Sequence, residues 1–348
     1  MAVTTGPGTA TAQAGAATAA DTPVEAPALV ARSGPFTLSC IVPVFNEAAV
    51  IEPFLRALAP TLAAITPRFE IIVVNDGSRD ATASIVARLA QELRLTLLDF
   101  SRNFGKEAAM TAGLARARGD AVMIIDADFQ EPLATIAPMV ARWREGYDVV
   151  YAVRADRSGE GWIKRVGTRL FYALMARGAH IEIPADARDY RVMDRKVVEA
   201  LNALPERNRF MKGLFAWVGF RAVAIPISID ERAGGTTSFG LRELRRLALT
   251  GVTAFSNLPL RLWGAIGSLI ALFAFLWGGW IVIEYFVFGQ PLRGFTTLAA
   301  AVMFLAGVQL ISIGIIGEYL GRVYDEVKAR PTYIVARVED HSPLAESD

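Results

Sequence analysis

Two stretches of this chain, Trp263–Ile283 and Gly294–Gly317, contain no charged residue. Each exceeds the ~20 residues that a helix needs to cross about 30 Å of hydrocarbon. Buried core helices of that length without a charge are rare, so the pair reads as two transmembrane helices. The turn Gly289-Gln290-Pro291-Leu292-Arg293 is short and makes them an antiparallel hairpin. Arg242, Arg245, Arg246 and Arg261 precede the first span, Arg322, Lys328 and Arg330 follow the second, and only Arg293 lies between. The positive-inside rule then puts both termini and the large preceding domain in the cytoplasm. Glu284 reads as reaching the interface.

The rest of the composition fits an enzyme attached to that hairpin. The chain has 348 residues, 53% of them hydrophobic, with a net charge of +1 from 36 basic and 35 acidic residues. Its mean hydropathy of +0.35 is high for a soluble enzyme. A balanced charge gives no global case for binding nucleic acid. One cysteine, Cys40, excludes an intramolecular disulfide, and its place in an apolar run makes it a small core residue. Two histidines, His180 and His341, leave little room for histidine chemistry. Residues 1–34, an Ala/Thr/Gly/Pro tract without the basic and apolar regions of a secretory signal, read as a disordered tail.

From residue 36 to about 155, short apolar runs alternate with helical patterns. Leu38–Val44, Phe69–Val74, Ala121–Ile125 and Val149–Val153 read as buried strands, with Leu93–Leu98 a weaker one. Ile51, Phe54, Leu55, Leu58 and Leu62 repeat at helical spacing, as do Ile136, Met139, Val140 and Trp143. This alternation predicts an α/β fold, a Rossmann-like, mainly parallel sheet with helices on both faces. In such sheets ligands sit beyond the carboxyl ends of the strands. Further on, Trp162, Ile163, Val166, Leu170, Phe171 and Leu174 form an apolar stripe flanked by Lys164, Arg165 and Arg169. It reads as a core helix or as one lying on a membrane.

The polar clusters behind the strands carry the chemistry. Asp126-Ala127-Asp128-Phe129-Gln130-Glu131-Pro132 follows one strand directly. Two carboxylates separated by one residue can hold a hard divalent cation, Mg²⁺ or Mn²⁺, between protein and a diphosphate. Asn75-Asp76-Gly77-Ser78-Arg79-Asp80 follows another strand, with Asp80 suited to a helix cap and Asp76 to the cleft. The first strand ends in Val42-Pro43-Val44-Phe45-Asn46-Glu47. Gly105-Lys106 lacks the flanking residues of a P-loop, and no G-x-G-x-x-G opens a helix.

Taken in order, IVPVFNE, VVNDGSRD, SRNFGKEAAMTAGLARARGD and DADFQEP resemble the family 2 glycosyltransferases of the GT-A fold. With DYRVMDR, ERNRFMKGL, ERAGGTTSF and GEYLGRVYDEVKARP, the chain is similar to the polyprenyl-phosphate glycosyltransferases from about Leu38 through Val335. The resemblance implies a nucleotide-diphosphate sugar as donor, a polyprenyl phosphate as acceptor, and the bilayer as the third partner. It implies that Pro43, Phe45, Glu47 and Asp76 line the base and ribose, with Gly105 and Lys106 nearby. Asp126 would face ribose-diphosphate and metal, Asp128 and Gln130 would bind metal, and Asp189 would organise the reaction centre. Arg154, Lys164, Arg165, Arg191 and Arg232 are candidates for the lipid phosphate or the leaving diphosphate, against a solvated face or lipid headgroups. Relatives often carry Lys where this chain has Ser238, so the basic contact of that loop must come from elsewhere.

The expected organisation is a tail over 1–34 and a GT-A domain with membrane-surface helices over 35–258. A hairpin follows over 259–322, with spans at about 263–287 and 294–317, and then a cytoplasmic tail over 323–348. The expected reaction is inverting sugar transfer, from a UDP-sugar by preference, at the cytoplasmic membrane. A processive polysaccharide synthase would need a Gln-x-x-Arg-Trp motif and more spans. A non-catalytic scaffold would not need Asp76, Asp126, Asp128 and Asp189 together. Gly264, Gly267 and Ala299–Ala301 would let helices pack closely in a homo-oligomer.

Overall fold

A computed structural model describes residues 29–154, 187–207, 209–228, 258–288 and 294–345. The stripe at 162–174, His180, Arg232, Ser238, the segment 241–257 and the turn 289–293 lie outside these residues.

The described strands are β1 (Leu38–Val44), β2 (Phe69–Asn75), β3 (Thr96–Phe100), β4 (Ala121–Ile124), β5 (Val149–Arg154), β6 (Ala187–Asp194), β7 (Ala222–Ile227) and β8 (Val335–Asp340). They form one sheet in the order β7-β5-β6-β4-β1-β2-β3-β8. The central run β4-β1-β2-β3 is parallel, and β6 and β8 join it antiparallel. The helices of this domain are α1 (Ile51–Ile65), α2 (Thr82–Glu92), α3 (Lys106–Arg116), α4 (Ile136–Arg144), α5 (Arg195–Ala203) and α6 (Met211–Trp217).

Strand sequence explains the layering. In β2, Ile71 and Val73 join one core with α1, α2 and α4, while Ile72 and Val74 join the other with α3, α5 and α6. A strand buried on both faces reads as a continuous apolar run. The helical repeat of Ile51, Phe54, Leu55, Leu58 and Leu62 is the wholly buried stripe of α1. The weaker expected strand shifts to Thr96–Phe100, because α2 ends at Glu92 and Arg94 turns through a left-handed φ of 50°.

Both ends of the domain differ from expectation. Residues 29–34 are not all tail: Arg32 bridges Asp148 at 3.0 Å and Asp194 at 2.8 Å, and stacks over Trp143. The region expected as a tail from 323 onward instead supplies β8, which covers the edge of β3. Asp340 accepts from Thr96 at 2.6 Å and pairs with Arg116 and Arg118. Ser342 donates at 2.7 Å to Glu70, a carboxylate with no exposure. His341 is bound through its backbone N–H to the Leu95 carbonyl.

Between β7 and β8 run two long helices, α7 (Leu258–Phe288) and α8 (Phe295–Lys328). Both are long and apolar enough to cross a membrane. Their large side chains point outward: Phe275 is 79% exposed and Leu310 is 69% exposed. Trp263 Nε1 donates to Ser312 Oγ at 2.7 Å and ties the two together. Helix α8 reaches past its apolar part to the domain, where Glu326 accepts the Arg207 N–H at 3.0 Å.

Candidate active site at the carboxyl edge of the sheet

Connections leave β1 toward β2 and β3 on one side and return to β4 on the other. The switch point therefore lies between β1 and β4, where open α/β sheets place their ligands. Val44 and Ile124 end these two strands, so Phe45–Glu47 and Asp126–Gln130 border the cleft.

Three turns are locked together there. After β1, Asn46 adopts a left-handed φ of 56°. Its N–H donates to Ser78 Oγ, and its Oδ1 accepts the Arg79 N–H, both at 2.9 Å. Gly77, after β2, has φ 64°, and a Cβ there would lie 2.3 Å from the Arg102 carbonyl carbon. Only glycine lets this turn approach the loop behind β3. Asp76 completes the clamp, accepting the Phe104 and Gly105 N–H groups at 2.6 and 2.9 Å. Burial raises its carboxyl pKa, and the two amides work against that rise. The structure thus gives Asp76 a holding task that the sequence does not reveal: it fixes the start of α3.

That start carries Lys106. Its Nζ lies 2.7 and 2.8 Å from the two oxygens of Asp126 and 2.8 Å from Asp189 Oδ2. Sheet register explains the meeting. β4 and β6 pair Ala121 with Asp194 and Ile124 with Arg191. Continued by two residues, the register sets Asp189 opposite Asp126. Burial opposes ionisation of Asp189, but Lys106 and Lys212 outweigh it and hold the carboxyl well below its usual range. Burial likewise disfavours the Lys106 ammonium, yet Asp126 and Asp189 keep it charged.

Several members of this cluster escape motif reading. Glu131 is 2% exposed, pairs with Arg188 at 2.9 Å, and accepts the Asp126 N–H. Burial and then the charge of Asp126 raise its pKa. Glu107 is pushed up to about 7 by burial and by Asp189, while accepting the Met211 N–H at 2.9 Å. Glu131 stands inside the quoted DADFQEP run, but no local signal sets Arg188 against it.

The other expected residues divide. Pro43 is half-buried on β1, while Phe45 is 42% exposed at the cleft mouth. The Glu47 N–H donates to Thr82 Oγ1 at 2.9 Å, which ties the turn after β1 to the start of α2. Arg154 ends β5 exposed. Arg191, expected at the lipid phosphate or the leaving diphosphate, is the most enclosed of the basic residues in that set that the structure describes. It is 3% exposed, lies 3.6 Å over the Phe215 ring, and donates to the Asp189 and Arg188 carbonyls. Among the described residues, this guanidinium braces the β6 turn through those two carbonyls. Lys164, Arg165 and Arg232 lie outside the described residues.

The donor set suits a cation shared with a substrate. Asp126, Asp128 and the Gln130 amide offer hard oxygens, and the left-handed φ of Phe129, 57°, folds the turn so that Gln130 N–H meets Asp128 Oδ1 at 3.1 Å. No cluster of three or more metal-ligating side chains occurs among the described residues. Mg²⁺ commonly takes one or two carboxylates and completes its shell with phosphate oxygens and water.

Comparison with known proteins decides the family. Residues 39–201 match Glycosyl transferase family 2, and residues 258–323 match the GtrB C-terminal hairpin. A glycosyltransferase of Synechocystis sp. is 45% identical over 86% of this chain and 94% of its own length. The chain belongs to glycosyl transferase family 2. The SfII prophage-derived bactoprenol glucosyl transferase of Shigella flexneri is 44% identical over 88% of this chain and 99% of its own. This places the glycosyltransferase beside the polyprenyl-phosphate branch of the family, as the motifs imply. Among solved structures, mannosyl-3-phosphoglycerate synthase from Rubrobacter xylanophilus is 23% identical over 66% of this chain and 75% of that one, with a TM-score of 0.43. So remote a likeness carries nothing further.

Proposed function

We propose that this glycosyltransferase moves a sugar from a nucleotide diphosphate, UDP by preference, to a polyprenyl phosphate at the cytoplasmic face of the membrane. The observation that carries this reading is the convergence of Asp126, Asp189 and Lys106 at the switch point of a chain that also owns an apolar helical pair. Asp126, Asp128 and Gln130 would hold Mg²⁺ or Mn²⁺ with the diphosphate, and the cation would supply charge neutralisation for the leaving group. Phe45 and the neighbouring turn, held by Ser78 and Asp80, would border the base and ribose.

The acceptor phosphate loses its second proton near pH 6, at about the pKa of a phosphate monoester. It attacks as an anion and needs little help from a general base. That suits a cluster of carboxylates and cations without histidine among the described site residues. Positioning supplies much of the rate. Asp189, ionised and fixed by Lys106, orders the reaction centre. In-line attack on the anomeric carbon inverts its configuration.

Topology supports the membrane arrangement. β8 follows α7 and α8 yet lies in the same sheet as β1–β7. A chain that leaves this sheet, enters a bilayer and returns to the sheet crosses an even number of times. Two spans meet that condition, and the excess of Lys and Arg outside them favours the cytoplasmic side. The deciding experiment offers membranes containing the protein a panel of labelled UDP- and GDP-sugars with polyprenyl phosphate. Label in the lipid fraction from one donor is the expected result. Label only in long water-soluble polymer would favour a polysaccharide synthase instead.

A further inference from the structure

We propose that Lys106 is a resident cation that clasps Asp126 and Asp189 before a donor arrives and then passes to the leaving diphosphate. The proposal rests on the reading above, that Asp126 shares a metal with the nucleotide's diphosphate.

An ammonium has three N–H donors. Those of Lys106 have three carboxylate oxygens within 2.8 Å: both oxygens of Asp126 and Asp189 Oδ2. Asp126 therefore turns its whole carboxylate toward one positive charge. A divalent cation approaching alone meets like charge at hydrogen-bond distance and oxygens already engaged. A cation approaching with a diphosphate brings the anion that Lys106 lacks, so the ammonium can exchange one carboxylate for phosphate oxygens.

Three features suit that exchange. The Lys106 side chain, 42% exposed as a whole, carries its enclosed head on a flexible four-carbon stem that can swing it between neighbouring anions. Its backbone does not have to follow, because Asp76 grips the Phe104 and Gly105 N–H groups just before it. Asp189 Oδ1 is buried without a hydrogen-bond partner among the described residues. Asp189 can thus keep an ionic hold on the ammonium after Asp126 lets go. The result is ordered loading, with the metal poorly held alone and well held with diphosphate.

The test uses the full-length protein in detergent micelles and two probes, Mn²⁺ alone and uridine diphosphate with saturating Mn²⁺. Mn²⁺ is followed by the loss of its free paramagnetic resonance signal, and the diphosphate by calorimetry. Lys106→Met should bind Mn²⁺ alone at least tenfold more tightly than the native protein and bind the diphosphate at least tenfold more weakly. A lysine that merely braces the fold would weaken both. Unchanged or weaker Mn²⁺ binding, with an unchanged unfolding temperature, would overturn the exchange alone. Absence of Mn²⁺ binding in both proteins, with and without diphosphate, would overturn the metal reading and this inference with it. If Lys106→Met fails to fold, Lys106→Gln, which still donates to the carboxylates, carries the same comparison.

Discussion

At the scale of single residues, the cleft separates groups that touch substrate from groups that hold them in place. Asp128 belongs to the first kind in the proposed reaction. Asp128→Ala should lower the turnover rate by on the order of 10²-fold or more, the usual cost of removing charge stabilisation from a reaction centre. Incorporation of labelled sugar into lipid measures it, and near-normal turnover would remove Asp128 from the metal set. Glu107 belongs to the second kind. Its folded pKa of about 7 exceeds the ordinary 4.5, so the native state keeps a proton that the unfolded chain has released. Stability from this group is complete below about pH 4.5 and falls as pH rises through 7. Glu107→Gln stays neutral throughout. It should match the native unfolding temperature at pH 4.5, exceed it at pH 8, and flatten the profile between. A parallel profile would show that Glu107 is not held protonated. The DxD carboxylates were legible in the sequence because they follow an apolar strand directly. The family resemblance sets Lys106 near the nucleotide, Asp126 at the metal and Asp189 at the reaction centre, but their direct meeting depends on how β6 pairs with β4 and has no signal in the sequence.

Elements were legible in proportion to their apolar continuity. β1, β2 and β4 are buried on both faces, so their sequences run apolar and announce themselves. β6 carries Arg188, Asp189, Arg191 and Asp194 within eight residues, and β8, at the sheet edge, mixes Arg337, Glu339 and Asp340 with Val335, Ala336 and Val338 without a regular alternation. Neither offers the run that marks a central strand, and their pairing comes from tertiary contacts. β8 depends on its polar anchors in a way that can be tested. Asp340 is pulled down to about 2 from 3.8, against burial, by Thr96, the Ser342 N–H and Arg116. Its contribution is therefore present above about pH 4 and lost as pH falls through 2. Asp340→Ala should cost about 1.5–3 kcal/mol at neutral pH, the range for hydrogen bonds to charged groups. Hydrogen exchange at β3 should rise in step, whereas an unchanged exchange rate there would mean that the edge holds without this anchor.

For the whole molecule, the charge balance of 36 against 35 hides an uneven layout: carboxylates gather at the strand ends, and basic residues flank the apolar helices. The helices are also an insertion within the domain's sheet, because β8 follows them in the chain yet pairs with β3, whereas the sequence pattern alone predicts a domain, a hairpin and a tail. Two shortened proteins separate these descriptions. Stopping the chain after residue 257 removes β8 with the helices. Joining residue 257 to residue 330 through a flexible linker removes only the helices. The joined protein should unfold at a distinctly higher temperature and bind nucleotide more tightly than the truncated one, and both should fail to glycosylate the lipid. Equal stability of the two would reduce β8 to an ornament of the edge.

The position of β8 also imposes an order in time. The strand is synthesised after both long helices, so the ribosome has made the whole hairpin before the sheet can close. Until then β3 carries an open edge, and Glu70, buried beneath it, lacks Ser342. A newly made chain thus finishes its catalytic domain last, after the two apolar helices have emerged to find their place. Folding of the enzyme and delivery to its workplace are in this way one sequence of events, and a chain stalled at the second would be unfinished at the first.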